Sequence, residues 1–233
     1  MKKKFLKKVA FLLTLVMGFS ITSDVKASEN DYIFINDYDE DTTNYDEINE
    51  YLIRRGREVL NNPMCRSSVR LSNLKRLVQS DSRWSSVVMQ SAGLTIGKSG
   101  CCLTSFTMVR NLISNVSETP ATVNAAMGNY ACDFNWSYAE NLYGYTALTK
   151  VRNDSGVSNE VARLNVVGAI DEYSRPAILG LKTSSGSTHF VVGYGYTSDG
   201  DIIICDPASR NYTMLSEYFD AGYFVYRIYV YEV

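Results

Sequence analysis

Apolar positions recur with helical spacing in several segments of the first part of the chain. The clearest segment is Cys102–Ser114, where one stripe is formed by Leu103, Phe106, Val109, Leu112 and Ile113. The same spacing over residues 46–60 predicts a helix that ends at Asn61-Asn62-Pro63, and residues 157–173 could hold another. Thr119-Pro120 predicts a helix start, with the threonine as N-cap and the proline in the first helical position. The first part of the chain is therefore expected to be largely helical.

Short runs rich in β-branched and aromatic residues dominate the later part of the chain. They cover residues 175–181, 189–196, 201–206 and 223–233. Turn-forming residues at 184–186 and 197–200 separate the first three runs. Helices followed by antiparallel strands predict an α+β fold.

The N-terminus has the features of a secretory signal peptide. Five lysines within residues 2–8 precede an uncharged apolar run, Val9–Thr22, and small residues follow up to Ala27. This arrangement predicts a signal peptide over residues 1–27, with an uncleaved N-terminal anchor as the alternative. The apolar run is shorter than the about 20 residues that cross a bilayer. We therefore expect a secreted or cell-surface-associated protein with no membrane span after signal cleavage.

Charge excludes two classes of partner. The 233-residue chain has a net charge of −2, and loss of residues 1–27 removes six lysines and one aspartate, which leaves −7. Nucleic acids and anionic lipids attract clusters of lysine and arginine, so no nucleic-acid partner is expected. Residues 28–64 are acidic in their first half and contain one possible helix. They are predicted to be either a solvated spacer or a pro-segment, and the residues do not decide between these.

The five cysteines leave at least one thiol unpaired in an exported protein. The chain has a single histidine and no CxxC spacing, so no metal site is expected. The spacings do not determine any disulfide pairing of Cys65, Cys102, Cys132 and Cys205. No phosphate-loop or dinucleotide-binding fingerprint is complete, and no cofactor is expected.

Gly100-Cys101 stands at the start of the predicted helix over residues 102–114. A free cysteine has a pKa of about 8.5, and only its thiolate attacks a carbonyl carbon. Unpaired N–H groups at a helix N-terminus stabilise the thiolate and can also donate to a developing oxyanion. Cys101 is therefore a candidate nucleophile, and a small core residue is the alternative.

His189 begins one predicted strand and Asp206 ends the next. If the two strands pair about a turn centred between residues 197 and 198, His189 lies opposite Asp206 on the same face. A tight turn on Asp199-Gly200 would separate the two side chains. Their contact therefore requires a longer loop or a bulge.

Five motifs occur in order between residues 70 and 210. They are Gln79-Ser-Asp-Ser-Arg-Trp84, Gly100-Cys-Cys-Leu-Thr-Ser-Phe-Thr-Met-Val109, Thr119-Pro-Ala-Thr-Val-Asn124, His189-Phe-Val-Val-Gly-Tyr-Gly195 and Ile204-Cys-Asp-Pro-Ala208. Together they resemble the stand-alone relatives of the bacteriocin-leader-processing (double-glycine) cysteine peptidases. The resemblance implies a papain-like domain, placed here at residues 65–233. It also implies the catalytic residues Cys101, His189 and Asp206, with Gln79 in the oxyanion hole.

The chain departs from that family in three ways. The best-known members are cytoplasmic-facing domains of exporters, whereas this chain carries a predicted export signal. Cys102 follows the nucleophile position, where a small residue is commoner. The acidic segment before residue 64 has no counterpart in the motifs.

The resemblance implies a cysteine peptidase that acts on a peptide or protein, for which a cell-wall peptide is one option. Together with the predicted signal peptide, it leads us to expect a secreted bacterial enzyme that acts as a monomer. A cell-wall amidase or acyl transferase on the same fold remains open. A non-catalytic secreted module that binds a peptide is the alternative from another class.

Overall fold

The computed structural model describes residues 46–62, 67–90, 93–208 and 212–233. The predicted signal peptide, the acidic first half of the segment over residues 28–64, and Cys65 lie outside the described residues. The chain divides into two compact units, and every described residue belongs to the second one, Tyr32–Val233.

Short polar signals set the ends of several helices. Thr119 caps one helix by accepting a hydrogen bond from the Thr122 N–H, and Pro120 is the first helical residue, as predicted. Ser158 caps another through the Val161 N–H. The α-helices of the described residues are α1 (Asp46–Asn61), α2 (Ile96–Ser99), α3 (Cys101–Ile113), α4 (Pro120–Met127), α5 (Trp136–Tyr143), α6 (Asn159–Tyr173) and α7 (Leu215–Asp220).

An antiparallel sheet forms the centre of the fold. The strands of the described residues are β1 (Val69–Arg70), β2 (Val88–Met89), β3 (Leu94–Thr95), β4 (Thr146–Arg152), β5 (Ala177–Thr183), β6 (Thr188–Tyr196), β7 (Ile202–Cys205) and β8 (Tyr223–Glu232). The order in the central sheet is β1-β6-β5-β8-β4, and β7 also pairs with β6. β2 and β3 form a separate hairpin that leads into α2.

Helices cover both faces of the sheet. Alternate strand residues such as Ile178 and Phe190 pack with α3, α4 and α5 in one core. Their neighbours Leu179 and Val191 pack with α1, α6 and α7 in a second core. Successive side chains of a strand point to opposite faces, so one sheet serves both cores.

α1 is packed tightly against α6. A Cβ atom at Gly56 would lie 2.0 Å from the carbonyl oxygen of Leu164, and one at Gly168 would lie 2.1 Å from that of Leu52. The two helix backbones therefore touch, which only glycine permits at these positions. α1 belongs to the core on the α6 face, away from α3.

The α+β fold with helices and an antiparallel sheet is confirmed, and it is consistent with a papain-like peptidase fold. The predicted division into helices first and strands afterwards is only approximate. β4 precedes α6 in sequence and pairs with β8 at the edge of the sheet, and the apolar pattern had not indicated it.

Candidate active site

Cys101 is the first residue of α3 and is fully buried. The turn before it is tight, since a Cβ atom at Gly100 would lie 2.5 Å from the carbonyl oxygen of Ile96. Glycine at position 100 therefore lets α2 run directly into α3. Cys101 therefore lies in the first turn of α3, whose N–H groups have no partner within that helix.

His189 and Asp206 meet through a bulged register. The Nε2 atom of His189 lies 2.8 Å from Oδ1 of Asp206. β6 and β7 pair Val192 with Cys205, and the register shifts between Gly193 and Gly195. Continuing the pairing by one residue sets Asp206 beside residue 191, so His189 is its diagonal neighbour on the same face. The prediction that residues 189 and 206 lie directly opposite each other is wrong. The bulge that their contact requires is present, at Gly193–Gly195.

Asp206 is 1 % exposed, and its carboxylate accepts three hydrogen bonds. Oδ1 accepts from His189 and from the Ala208 N–H at 2.7 Å, and Oδ2 accepts from the Tyr218 hydroxyl at 2.7 Å. Burial opposes ionisation, but the bonds from His189, Tyr218 and Ala208 outweigh it and hold the pKa of Asp206 below its ordinary value. The carboxylate is therefore charged at neutral pH.

His189 is 3 % exposed and lies between an acid and a thiol. Burial alone lowers its pKa, but hydrogen bonds to Asp206 and Cys101 outweigh burial and raise that pKa to about 9. The imidazole is therefore protonated at neutral pH. An imidazole beside the Cys101 side chain is placed to exchange a proton with it during a reaction.

Gln79 is fully buried and joins the two halves of the site. Its Nε2 atom donates to the carbonyl oxygen of Gly97, four residues before Cys101, at 3.1 Å. Its backbone N–H donates to the Pro207 carbonyl oxygen at 2.8 Å, next to Asp206. One side-chain N–H of Gln79 remains for a further acceptor, because a primary amide carries two.

Arg76 holds the loop that follows Asp206. Its Nε donates to the carbonyl oxygen of Asp206 at 2.8 Å, and its Nη2 donates to that of Ala208 at 2.7 Å. Together with the Gln79 N–H, these bonds occupy three consecutive carbonyl oxygens, at positions 206, 207 and 208. The strand end that carries Asp206 is therefore fixed to the segment that carries Gln79.

Met108 links the same segments to α3. Its sulfur accepts the Leu77 N–H at 3.2 Å and lies 3.6 Å from the Cys205 sulfur. Burial raises the pKa of the Cys205 thiol to about 11, so this thiol is neutral at physiological pH. The segment before Gln79, the strand before Asp206 and the helix of Cys101 therefore meet at one buried thioether.

Two other cysteines of the described residues pack in the core. Cys102 is 1 % exposed and lies close enough to Tyr231 to help raise the pKa of that phenol, for which burial is the main cause. Cys132 is also buried. Among the described residues no group of three or more His, Cys, Asp or Glu side chains is arranged to hold a metal ion. Nor does any helix in this part of the chain have the length and hydrophobicity of a membrane span.

Sequence reasoning had singled out Cys101, His189, Asp206 and Gln79. The structure joins His189 to Asp206, places Cys101 beside the imidazole, and bonds Gln79 to the backbone near Cys101 and near Asp206. Sequence reasoning had missed Tyr218, Arg76 and Met108. α7, which carries Tyr218, has only six residues, so its pattern is too short to mark a helix. Arg76 donates to backbone carbonyl oxygens. Every residue carries such an oxygen, so the residue types of the loop do not indicate these contacts.

Comparison with protein-family models matches the chain to the peptidase C39-like family over residues 72–231. This match confirms the resemblance to the double-glycine cysteine peptidases. Comparison with curated proteins and with solved structures gave no match.

Proposed function

The chain belongs to the peptidase C39-like family, and we propose that it is a cysteine peptidase with Cys101 as its nucleophile. The observation that carries this proposal is the buried contact of 2.8 Å between His189 and Asp206, with the Cys101 side chain close enough to the same imidazole to help raise its pKa. A nucleophile, a base and an orienting carboxylate in this order form the triad of acyl-transfer enzymes.

In the first half of the reaction the Cys101 thiolate attacks the carbonyl carbon of the peptide bond. The tetrahedral oxyanion accepts hydrogen bonds from the Cys101 N–H and from the second Nε2–H of Gln79. His189, protonated at neutral pH, gives its proton to the leaving amine as the C–N bond breaks. The products are a free amine and a thioester on Cys101.

In the second half water attacks the thioester. Neutral His189 takes a proton from this water, the C–S bond breaks, and the carboxylic acid leaves. The thiolate and the imidazolium are then restored. Asp206 stays ionised throughout, keeps the Nε2 proton on its side of the ring and stabilises the positive charge of the imidazole.

Alkylation of the thiol tests the proposal without knowledge of the substrate. Iodoacetamide at neutral pH should modify Cys101 in the wild-type chain, as peptide mass mapping would show, and modification should be slow in His189→Ala. Cys101→Ala should lose labelling and peptide hydrolysis with an unchanged melting temperature. Cys102→Ala is the matched control and should keep both, because its side chain faces the core.

Three results would contradict this assignment. Reversal of the two cysteine variants would move the nucleophile to Cys102. Full activity in His189→Ala would exclude the mechanism, because the chain has no other histidine. Rapid labelling with release of product from cell-wall fragments, but from no peptide library, would favour the amidase reaction.

We also propose that the protein acts outside the cell as a monomer. The basic and apolar pattern of residues 1–27 supports export. Mass spectrometry of protein from the culture medium should find a chain that begins at Ser28. A cell-associated chain that retains its first residues would support the uncleaved anchor instead.

A further inference from the structure

Tyr218 is the third side chain in the row formed by His189 and Asp206. It is fully buried, and its hydroxyl donates to Oδ2 of Asp206 at 2.7 Å. Its ring also lies against the imidazole of His189, with centroids 5.7 Å apart. The carboxylate is thus held from one side by the base and from the other by a phenol.

Tyr218 is presented by α7, which is tied to both ends of β7. Before the helix, the Ile204 N–H donates to the Thr213 carbonyl oxygen at 2.8 Å. At the other end of the strand, the Asp201 carboxylate accepts from the backbone N–H and hydroxyl of Ser216. α7 therefore cannot move without β7, the strand that leads into Asp206.

Two further rings fix the direction of the phenol. Tyr212 meets the Tyr218 ring edge-on at 4.9 Å, and Tyr223 does so at 5.3 Å from another element. Edge-to-face contacts of this kind favour one ring orientation. The packing of the Tyr218 ring therefore holds its hydroxyl toward Asp206.

We propose that Tyr218 is a positioning residue of the active site, which keeps Asp206 ionised and oriented toward His189. This inference rests on the proposed function, because it assigns a role within the same triad. In this scheme Tyr218 acts on the reaction through Asp206. Loss of its hydroxyl removes one of three hydrogen bonds from a buried carboxylate, so Asp206 takes up a proton at higher pH.

The other charged and titratable groups around Asp206 do not replace this contact. The Arg76 guanidinium donates to the backbone carbonyl oxygen of Asp206. The Cys205 thiol next to it in sequence is neutral over the relevant range, since burial raises its pKa to about 11. His189 and the Ala208 N–H both bind Oδ1. In the described residues Tyr218 is the group that donates to Oδ2.

The test is the pH dependence of Cys101 alkylation by iodoacetamide, measured by peptide mass mapping. When Asp206 is protonated, the imidazolium loses its anionic partner and less thiolate is available. Tyr218→Phe should therefore move the acid limb of the rate profile up by about one pH unit, the size expected for one hydrogen bond to an ionised group. Tyr212→Phe, which changes a neighbouring ring, is the matched control and should leave the limb in place.

Repeating the Tyr218→Phe substitution in the Asp206→Asn variant separates a positioning role from a merely structural one. In Asp206→Asn the carboxylate is absent, so adding Tyr218→Phe should produce no further shift of the acid limb. The inference would be overturned if Tyr218→Phe left the acid limb unchanged. It would also be overturned if Tyr218→Phe shifted the acid limb equally with and without Asp206→Asn. Absence of Cys101 alkylation in the wild-type chain would instead overturn the proposed function. Melting temperatures of all variants show whether each one folds.

Discussion

Removal of α1 is expected to destabilise the domain rather than release an inhibited enzyme. Two chains make the comparison: one lacking residues 1–45, which retains α1, and one lacking residues 1–62. If residues 28–62 were a detachable pro-segment, the shorter chain would be equally stable and more active. The packing of α1 predicts instead that the chain lacking residues 1–62 is less stable and is not more active.

The magnitude follows from the side chains that α1 buries. Leu52 and Val59 are 0 % and 3 % exposed, and burial of each such side chain contributes about 1.5–3 kcal/mol. The ion pair of Arg55 with Asp171, at 2.7 Å, is partly exposed and contributes little to stability. The two buried side chains together contribute about 3–6 kcal/mol, a large part of the about 5–15 kcal/mol that stabilises a typical domain.

A point variant tests the same contact without shortening the chain. In Gly56→Ala the new Cβ would lie 2.0 Å from the Leu164 carbonyl oxygen, against at least 3.4 Å for an ordinary contact, so α1 must move away from α6. Such overpacking costs about 1–3 kcal/mol, and the better helix propensity of alanine returns about 1 kcal/mol. We expect a net loss of stability, whereas Glu50→Ala, at an exposed position of α1, should change little.

Urea unfolding followed by tryptophan fluorescence measures these effects, because Trp84 and Trp136 are both buried. The chain without residues 1–62 should unfold at a much lower urea concentration than the chain without residues 1–45. Equal midpoints for these two chains would refute the structural role of α1. Equal midpoints together with higher peptidase activity of the shorter chain would establish an inhibitory segment.

Two further predictions concern the catalytic groups. Activity should fall as the pH rises through about 9, where His189 loses its proton. Asp206→Asn should move this alkaline limb of the pH–rate profile to lower pH, because Asp206 raises the His189 pKa. An alkaline limb that stays in place in Asp206→Asn would contradict that coupling. Gln79→Ala should lower kcat by about 10²–10³-fold with little change in KM, the usual loss for one oxyanion donor. A lower melting temperature with unchanged kcat would show instead that Gln79 only supports the Gly97 turn.

Local sequence signals determined much of the fold. Thr119 and Pro120 specify a helix start with atoms that lie within four residues of each other, so no distant contact is needed. The apolar stripe after Cys101 likewise specifies α3, because helical spacing alone gathers those residues on one side. The candidate residues Cys101, His189, Asp206 and Gln79 also followed from the order of motifs in the chain.

Tertiary contacts decided what no local pattern contains. The pairing of β6 with β7 depends on a bulge at Gly193–Gly195, and a bulge changes which residues face each other without changing the alternation of the strand. β4 was missed because its buried polar residue Lys150 hides the apolar pattern. The ion pair of Lys150 with Glu140, at 2.9 Å, compensates the burial of its charge.

The role of α1 and the surroundings of Asp206 were decided in the same way. The amphipathic pattern of residues 46–60 predicts a helix, but backbone contact at Gly56 and Gly168 determines that it packs on α6. Tyr218 lies twelve residues after Asp206, and it reaches the carboxylate only because α7 is tied to β7 at both ends. Residue types determine which local structures and chemical groups the chain can offer, whereas the long-range hydrogen bonds between segments determine which of those groups meet.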